Sequence, residues 1–192
     1  IRDGKETIGQ MHLEQAYIAQ TAGDERKMSM TAEEKHLIAV HEAGHALVTR
    51  LLLPENKLTR VTVIPSNKGA AGYSMSIQKE QLLYTRKELM HRMAAILAGR
   101  AAEEMVFGPE HVTNGAASDL EKAEQMALQM YRWHMICADG EREAKKQAMD
   151  EGKRLAMDTI EKKRPMLNRL IAALMEKETL LEEELQQILT ES

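Results

Sequence analysis

The chain has 192 residues, 43% hydrophobic and 29% charged, which fits one ordinary domain or one domain with a small appendage. A formal net charge of −4 leaves no basic footprint for nucleic acid, and no such partner is expected. The single cysteine, Cys137, excludes an internal disulfide, and no stretch reaches the ~18 apolar residues of a membrane-spanning helix. The chain opens on Ile1 with no signal peptide, so it is expected to be a soluble piece of a longer protein.

Residues 1–22 hold one short amphipathic segment, with Ile8, Met11, Leu13, Ala16, Tyr17 and Ile18. Residues 23–30 are polar and read as a linker. Thr31-Ala32-Glu33-Glu34 has the capping-box pattern, and the helix it opens runs unbroken to Leu53, where Pro54 stops it. Leu37, His41, Gly44, His45, Val48, Leu51 and Leu52 form one apolar stripe along it. Residues 58–64 are rich in Thr and Val and read as a strand, residues 65–69 as a turn and residues 71–77 as a returning strand. A second capping box at Thr85 and Glu88 opens a helix to about Val106, closed by Gly108-Pro109. After a loop at 111–117, Ser118-Asp119-Leu120-Glu121 opens a third helix to about Ile136, broken by Asp139-Gly140.

Residues 141–164 read as a long charged helix, and Pro165 begins or kinks the next one, to about Lys177. Thr179-Leu180-Leu181-Glu182 is a fourth capping pattern, opening the last helix. The fold is therefore expected to be mainly α. A small β-hairpin or sheet lies beside the His41 helix, and a helical bundle forms the C-terminus. The 14 methionines suit an adaptable core, and Cys137 reads as a packed thiol.

His41-Glu42-Ala43-Gly44-His45 carries the chemistry. On a helix, positions i and i+4 share a face, so both imidazoles can hold one zinc ion, with Glu42 beside it as a base for water. Gly44 costs about 1 kcal/mol of helix propensity relative to alanine, which suits a backbone packed very close between the histidines. A catalytic zinc takes three protein ligands and one open position. Val48 and Leu51 stand where an extended metzincin motif needs glycine and histidine, so that class is excluded. The residues leave the third ligand open between Asp119, in the first turn of a capped helix, and a glutamate among Glu80, Glu88, Glu103 and Glu104.

The segments HEAGHALV, TRVTVIP, AAGYS and LAGRAAEEMVFGPEHVTNGAASDLEKA occur in that order. Together they resemble the peptidase domain of the FtsH family of ATP-dependent zinc metalloproteases, most densely between Thr31 and Met130. The resemblance implies one zinc ion per chain, held by His41, His45 and Asp119, with Glu42 as catalytic base. It implies that residues 1–30 are the end of a preceding AAA ATPase module and a linker. Residues 31–192 would then be the zinc peptidase domain, with a metal-site core at 31–136 and C-terminal helices at 137–192. ATP would be used by the upstream module and not bound here. The resemblance further implies protein or peptide substrates, a homo-hexamer and a place on the cytoplasmic side of a bacterial membrane. The chain departs from the family at Pro65-Ser66-Asn67, usually Pro-Arg-Gly, and at Trp133-His134-Met135, where a strong glycine is replaced. It is also much shorter between that point and the last helices.

The expected reaction is peptide-bond hydrolysis, with Glu42 moving the proton. The 58–64 strand is a candidate edge for the substrate backbone, placing Val61 and Val63 at a substrate-binding site. His111 and His134 read as ordinary loop and helix histidines, and Arg100 as a structural partner of Glu103 or Glu104. Two readings compete with the peptidase: a metal-binding interaction or assembly module with little activity, and a helical structural domain without metal.

Overall fold

The computed structural model describes residues 30–67 and 69–190. The expected amphipathic segment and most of the linker lie outside them. The described elements are helix α1 (Ala32–Leu52), strands β1 (Lys57–Thr62) and β2 (Tyr73–Ile77), and helix α2 (Arg86–Phe107). Helices α3 (Ala117–Arg132), α4 (Glu141–Lys162) and α5 (Arg164–Lys177) follow, then strand β3 (Thr179–Leu181) and helix α6 (Glu182–Thr190). Two 3-10 turns, Pro109–His111 and Asn114–Ala116, connect α2 to α3. The mainly α expectation and the small sheet beside the His41 helix both hold.

The first two capping boxes form as the sequence requires. In α1, Glu34 N–H donates to Thr31 Oγ1 at 3.1 Å and Thr31 N–H to Glu34 Oε2 at 2.8 Å. In α2, Thr85 and Glu88 repeat the exchange at 2.7 and 3.2 Å. The other two do not. The 3-10 turn runs straight into α3, so the cap falls on Ala116 and Ser118 lies inside the helix. Thr179 is drawn into a strand. Its hydroxyl lies 2.8 Å from that of Thr62, and Glu184 accepts the Leu181 N–H at the head of α6 instead.

α1 and α2 run antiparallel at the centre of the core. α1 is buried on most sides from Ala39 to Val48, far more than one stripe, because α2, α5 and β1 all pack on it. Gly44 of α1 meets Ala98 and Ala102 of α2, within a run of small residues there that includes Ala94 and Ala101, while Ala39, Ala43 and Ala46 are buried on the other side of α1. Such small side chains let two helix backbones approach closely. Gly44 is a point of close approach: a Cβ there would stand 2.6 Å from the Ala98 carbonyl oxygen and 2.7 Å from Ala102 Cβ. Gly44→Ala is expected to destabilise the fold by about 1–3 kcal/mol through overpacking. Urea unfolding measures this, and an unchanged midpoint would contradict the close crossing.

The C-terminal helices build onto the same core. Ala156 and Ile160 of α4, and Leu167, Leu170 and Leu174 of α5, are fully buried with the α1 residues. A second cluster joins Met90 and Met93 of α2 to Met130 of α3 and Ala144 and Ala148 of α4, which is where several methionines go. Cys137 is exposed and not packed: the neighbouring Ile136 takes the buried place in this turn. α3 ends at Arg132, earlier than expected, in a Schellman closure. Met135 N–H reaches the Met130 carbonyl, and His134 takes the left-handed conformation with φ 57°.

The sheet order is β2-β1-β3, antiparallel throughout, with a bulge between Leu58 and Arg60. β1 is therefore the central strand, and the expectation that its edge receives a substrate is corrected. β2 covers one side, and β3 covers the other through Arg60–Leu181, Val61–Leu180 and Thr62–Thr179 pairing. Val61 and Val63 have no exposed surface and belong to the core, so neither can meet a substrate.

Candidate metal centre

The i, i+4 spacing does what helical geometry requires: both imidazoles leave α1 on the face turned to α2. Each is held from behind through Nδ1. His45 Nδ1 lies 2.8 Å from the Ala95 carbonyl, which can only accept, so the ring donates there and Nε2 keeps its lone pair. His41 Nδ1 lies 2.6 Å from Glu103 Oε1. Both Nε2 atoms then point at one spot, 3.0 Å apart.

Asp119 closes the group. It sits in the first turn of α3, and its Oδ2 lies 3.2 Å from His45 Nε2 and 3.4 Å from His41 Nε2. Its other oxygen, Oδ1, pairs with Lys122 Nζ at 3.0 Å. Among the described residues, His41, His45 and Asp119 are the cluster able to hold a metal ion. A tetrahedral zinc with bonds of about 2.0–2.1 Å separates its ligand atoms by about 3.3 Å, so the donor set fits that ion.

The electrostatics also call for a cation. Burial opposes the charged form of His41, but Asp119, Glu103 and Glu42 outweigh it and raise its pKa to about 10. Burial alone would raise the Asp119 carboxyl, yet hydrogen bonds from His41, His45 and Lys122 hold it far below the usual range. A proton and a metal ion thus compete for one position. Glu42 is 6% exposed, and burial pushes its pKa up, partly offset by the two histidines. It makes no hydrogen bond among the described residues, which leaves its carboxylate free for water.

The other glutamates are placed elsewhere. Glu103 touches the site, but from behind His41 and not as a ligand. It is 1% exposed, and it also accepts from Thr113 N–H at 2.6 Å. Glu104 pairs with Lys153 at 2.6 Å, Glu88 closes the α2 capping box, and Glu80 lies in an exposed loop. Arg100 therefore pairs with neither Glu103 nor Glu104 among the described residues. His111 sits exposed in a 3-10 turn and His134 at the end of α3, both outside the cluster.

Gly99 was not singled out as a site residue, yet it lines the metal position. A Cβ there would stand 2.5 Å from His41 Cε1, His41 Nε2 and His45 Nε2. Gly99→Ala is expected to lower zinc affinity more than about 10-fold, since the methyl displaces the ligating nitrogens. Competition against a chelating dye measures this, and unchanged affinity would contradict the geometry. Glu103 did carry a signal in the sequence: a carboxylate inside an apolar helix turn needs a partner.

Two imidazoles four apart on a buried helix, a carboxylate completing the set and a glutamate beside them define a metallopeptidase centre of the HExxH type. The family model of peptidase family M41 matches residues 28–148, more than half of the chain. The chain belongs to peptidase family M41. It is 41% identical over 127 residues to the ATP-dependent zinc metalloprotease FtsH 1 of Alkaliphilus metalliredigens, covering 65% of this chain and 22% of the relative. It is 32% identical to an FtsH of Thermotoga maritima, covering 99% of this chain and 36% of the relative. It is 35% identical to the ATP-dependent zinc metalloprotease YME1L of Drosophila melanogaster, covering 99% and 29%. The chain thus spans only a fraction of each relative's length. The Thermotoga alignment runs over 228 positions, more than the 192 residues of this chain, so that relative carries residues this one lacks.

Proposed function

We propose that this chain is a zinc-dependent endopeptidase module that hydrolyses peptide bonds of protein substrates. The observation that carries the reading is the convergence of His41 Nε2, His45 Nε2 and Asp119 Oδ2 within 3.0–3.4 Å beside the buried carboxylate of Glu42. A zinc ion held there would supply a Lewis acid for water and the scissile carbonyl. His41 and His45, fixed through their Nδ1 atoms, and Asp119 hold the ion. Glu42 takes the proton from the attacking water and returns it to the leaving amine. Its burial keeps bulk water from competing as base.

The substrate backbone lies along β2, whose outer edge pairs with no strand among the described residues. β2 starts beside the base: a Cβ on Gly72 would be 3.2 Å from Glu42 Cγ. An extended peptide added there gains main-chain hydrogen bonds close to the reacting centre. The full-length protein would couple this module to an upstream AAA ATPase that delivers unfolded substrates, as a membrane-associated assembly on the cytoplasmic side. The relatives' designation as ATP-dependent proteases supports the ATP-driven delivery. No described helix is long and apolar enough to cross a membrane.

The test is cleavage of casein by the zinc-loaded chain, with and without a chelator. Chelator-sensitive cleavage is expected. Zinc bound without cleavage would favour a metal-binding assembly module, a reading supported by the residues this chain lacks relative to its relatives. Absence of zinc binding would leave only a helical structural domain.

A further inference from the structure

We propose that Thr113 is a positioning residue of the metal centre, tying the carboxylate behind His41 to the turn that delivers Asp119. This rests on the zinc reading above. The two halves of the site come from separate elements. His41 and His45 lie on α1, braced by α2 through Ala95 and Glu103. Asp119 arrives on α3, after the chain has left α2 and passed through two 3-10 turns. Something must set the distance between the α2 brace and the α3 ligand, and Thr113 touches both.

On one side, Thr113 N–H donates to Glu103 Oε2 at 2.6 Å, and its hydroxyl donates to Glu103 Oε1 at 3.2 Å. Oε1 is the atom that receives His41 Nδ1–H. Thr113 therefore engages both oxygens of a carboxylate that is 1% exposed, and it fixes how that carboxylate faces the imidazole. On the other side, the same hydroxyl accepts the Gly115 N–H at 3.1 Å and caps the Asn114–Ala116 turn. That turn runs without a break into α3, whose own start has no side-chain cap. The direction of the first turn of α3, and of Asp119 within it, is inherited from the turn that Thr113 caps. One hydroxyl acts as donor toward the ligand-holding carboxylate and as acceptor for the ligand-bearing turn. Metal-site partners of this kind are typically worth about 10–100-fold in affinity.

The inference predicts three results for zinc affinity, read by competition with a chelating dye. Thr113→Val, which keeps the shape and removes the hydroxyl, lowers affinity about 10-fold or more. Thr113→Ser restores it to within about 3-fold of the parent, because the hydroxyl and both its bonds return. On a Glu103→Gln background, Thr113→Val loses markedly less affinity than it does alone, since the shared carboxylate is already altered. Three outcomes would overturn the proposal. The first is a Thr113→Val variant whose metal-free melting temperature falls while its zinc affinity stays parental, the mark of a purely structural threonine. The second is failure of Thr113→Ser to rescue, and the third is additivity of the two substitutions. If the parent chain itself binds no zinc, the zinc reading fails. If the parent binds zinc and Thr113→Val binds it equally well, this inference alone fails.

Discussion

Glu42→Gln is expected to lower casein or peptide cleavage by at least about 100-fold while the chain still binds zinc. Glutamine keeps the shape and can neither take a proton from water nor return one to the leaving amine. General acid–base catalysis by a positioned side chain contributes about 10²–10⁴-fold, and among the described residues no other carboxylate stands free beside the ligands to replace it. Glu103 is fully engaged by His41 and Thr113, and Asp119 by the two histidines and Lys122. The substitution also removes a charge from a position that is 6% exposed, so the fold should be no less stable. Zinc content and melting temperature separate loss of chemistry from loss of structure. Retention of more than a tenth of the parent rate would rule out Glu42 as the base.

Asp119→Ala is expected to cost more zinc affinity than any substitution behind the ligands, so above about 100-fold. It takes away the single anionic ligand and leaves two neutral imidazoles whose nitrogens face each other at 3.0 Å. It also strips Lys122 of its partner, placing an uncompensated cation near the metal position. Retained zinc at parental affinity would transfer the third ligand to another residue. Asp119→Asn should fall between alanine and the parent, because the amide oxygen can still face the metal but brings no charge.

These two variants also show where the sequence could speak and where it could not. The histidine pair and Glu42 were legible because their relation is local, four residues on one helix that begins at a capping box and ends at Pro54. The third ligand was not. Asp119 and Glu103 both reach His41, one at Nε2 and one at Nδ1, so a carboxylate near the motif fits either role. Only the approach of α3 from 74 residues away separates ligand from brace. The resemblance favoured Asp119 where the residues alone left the choice open.

The same physics explains the misread ends. Thr179 has a perfect capping spacing, and a local pattern cannot reveal that its hydroxyl meets Thr62, 117 positions earlier. β1 was read as an edge because Val61 and Val63 fit any strand; the third strand that covers it is only three residues long. Ser118 fails as a cap because a preceding 3-10 turn already delivers helical backbone, which side-chain spacing does not encode.

That late strand has a bearing on how the molecule is made. β1, next to the catalytic helix, pairs with residues near the end of the chain, and Lys35 at the head of α1 reaches Glu178 at 2.8 Å. During synthesis the histidine helix emerges long before the segment that seals its sheet. Until then one side of β1 is bare, the loop still to be closed exceeds a hundred residues, and Val61 and Leu180 have no partner. The nascent peptidase thus passes through a stage with an open strand edge, the kind of surface that invites pairing with other chains. Its sheet becomes complete only when β3 arrives, more than a hundred residues after β1, so the hydrolytic cleft is assembled late.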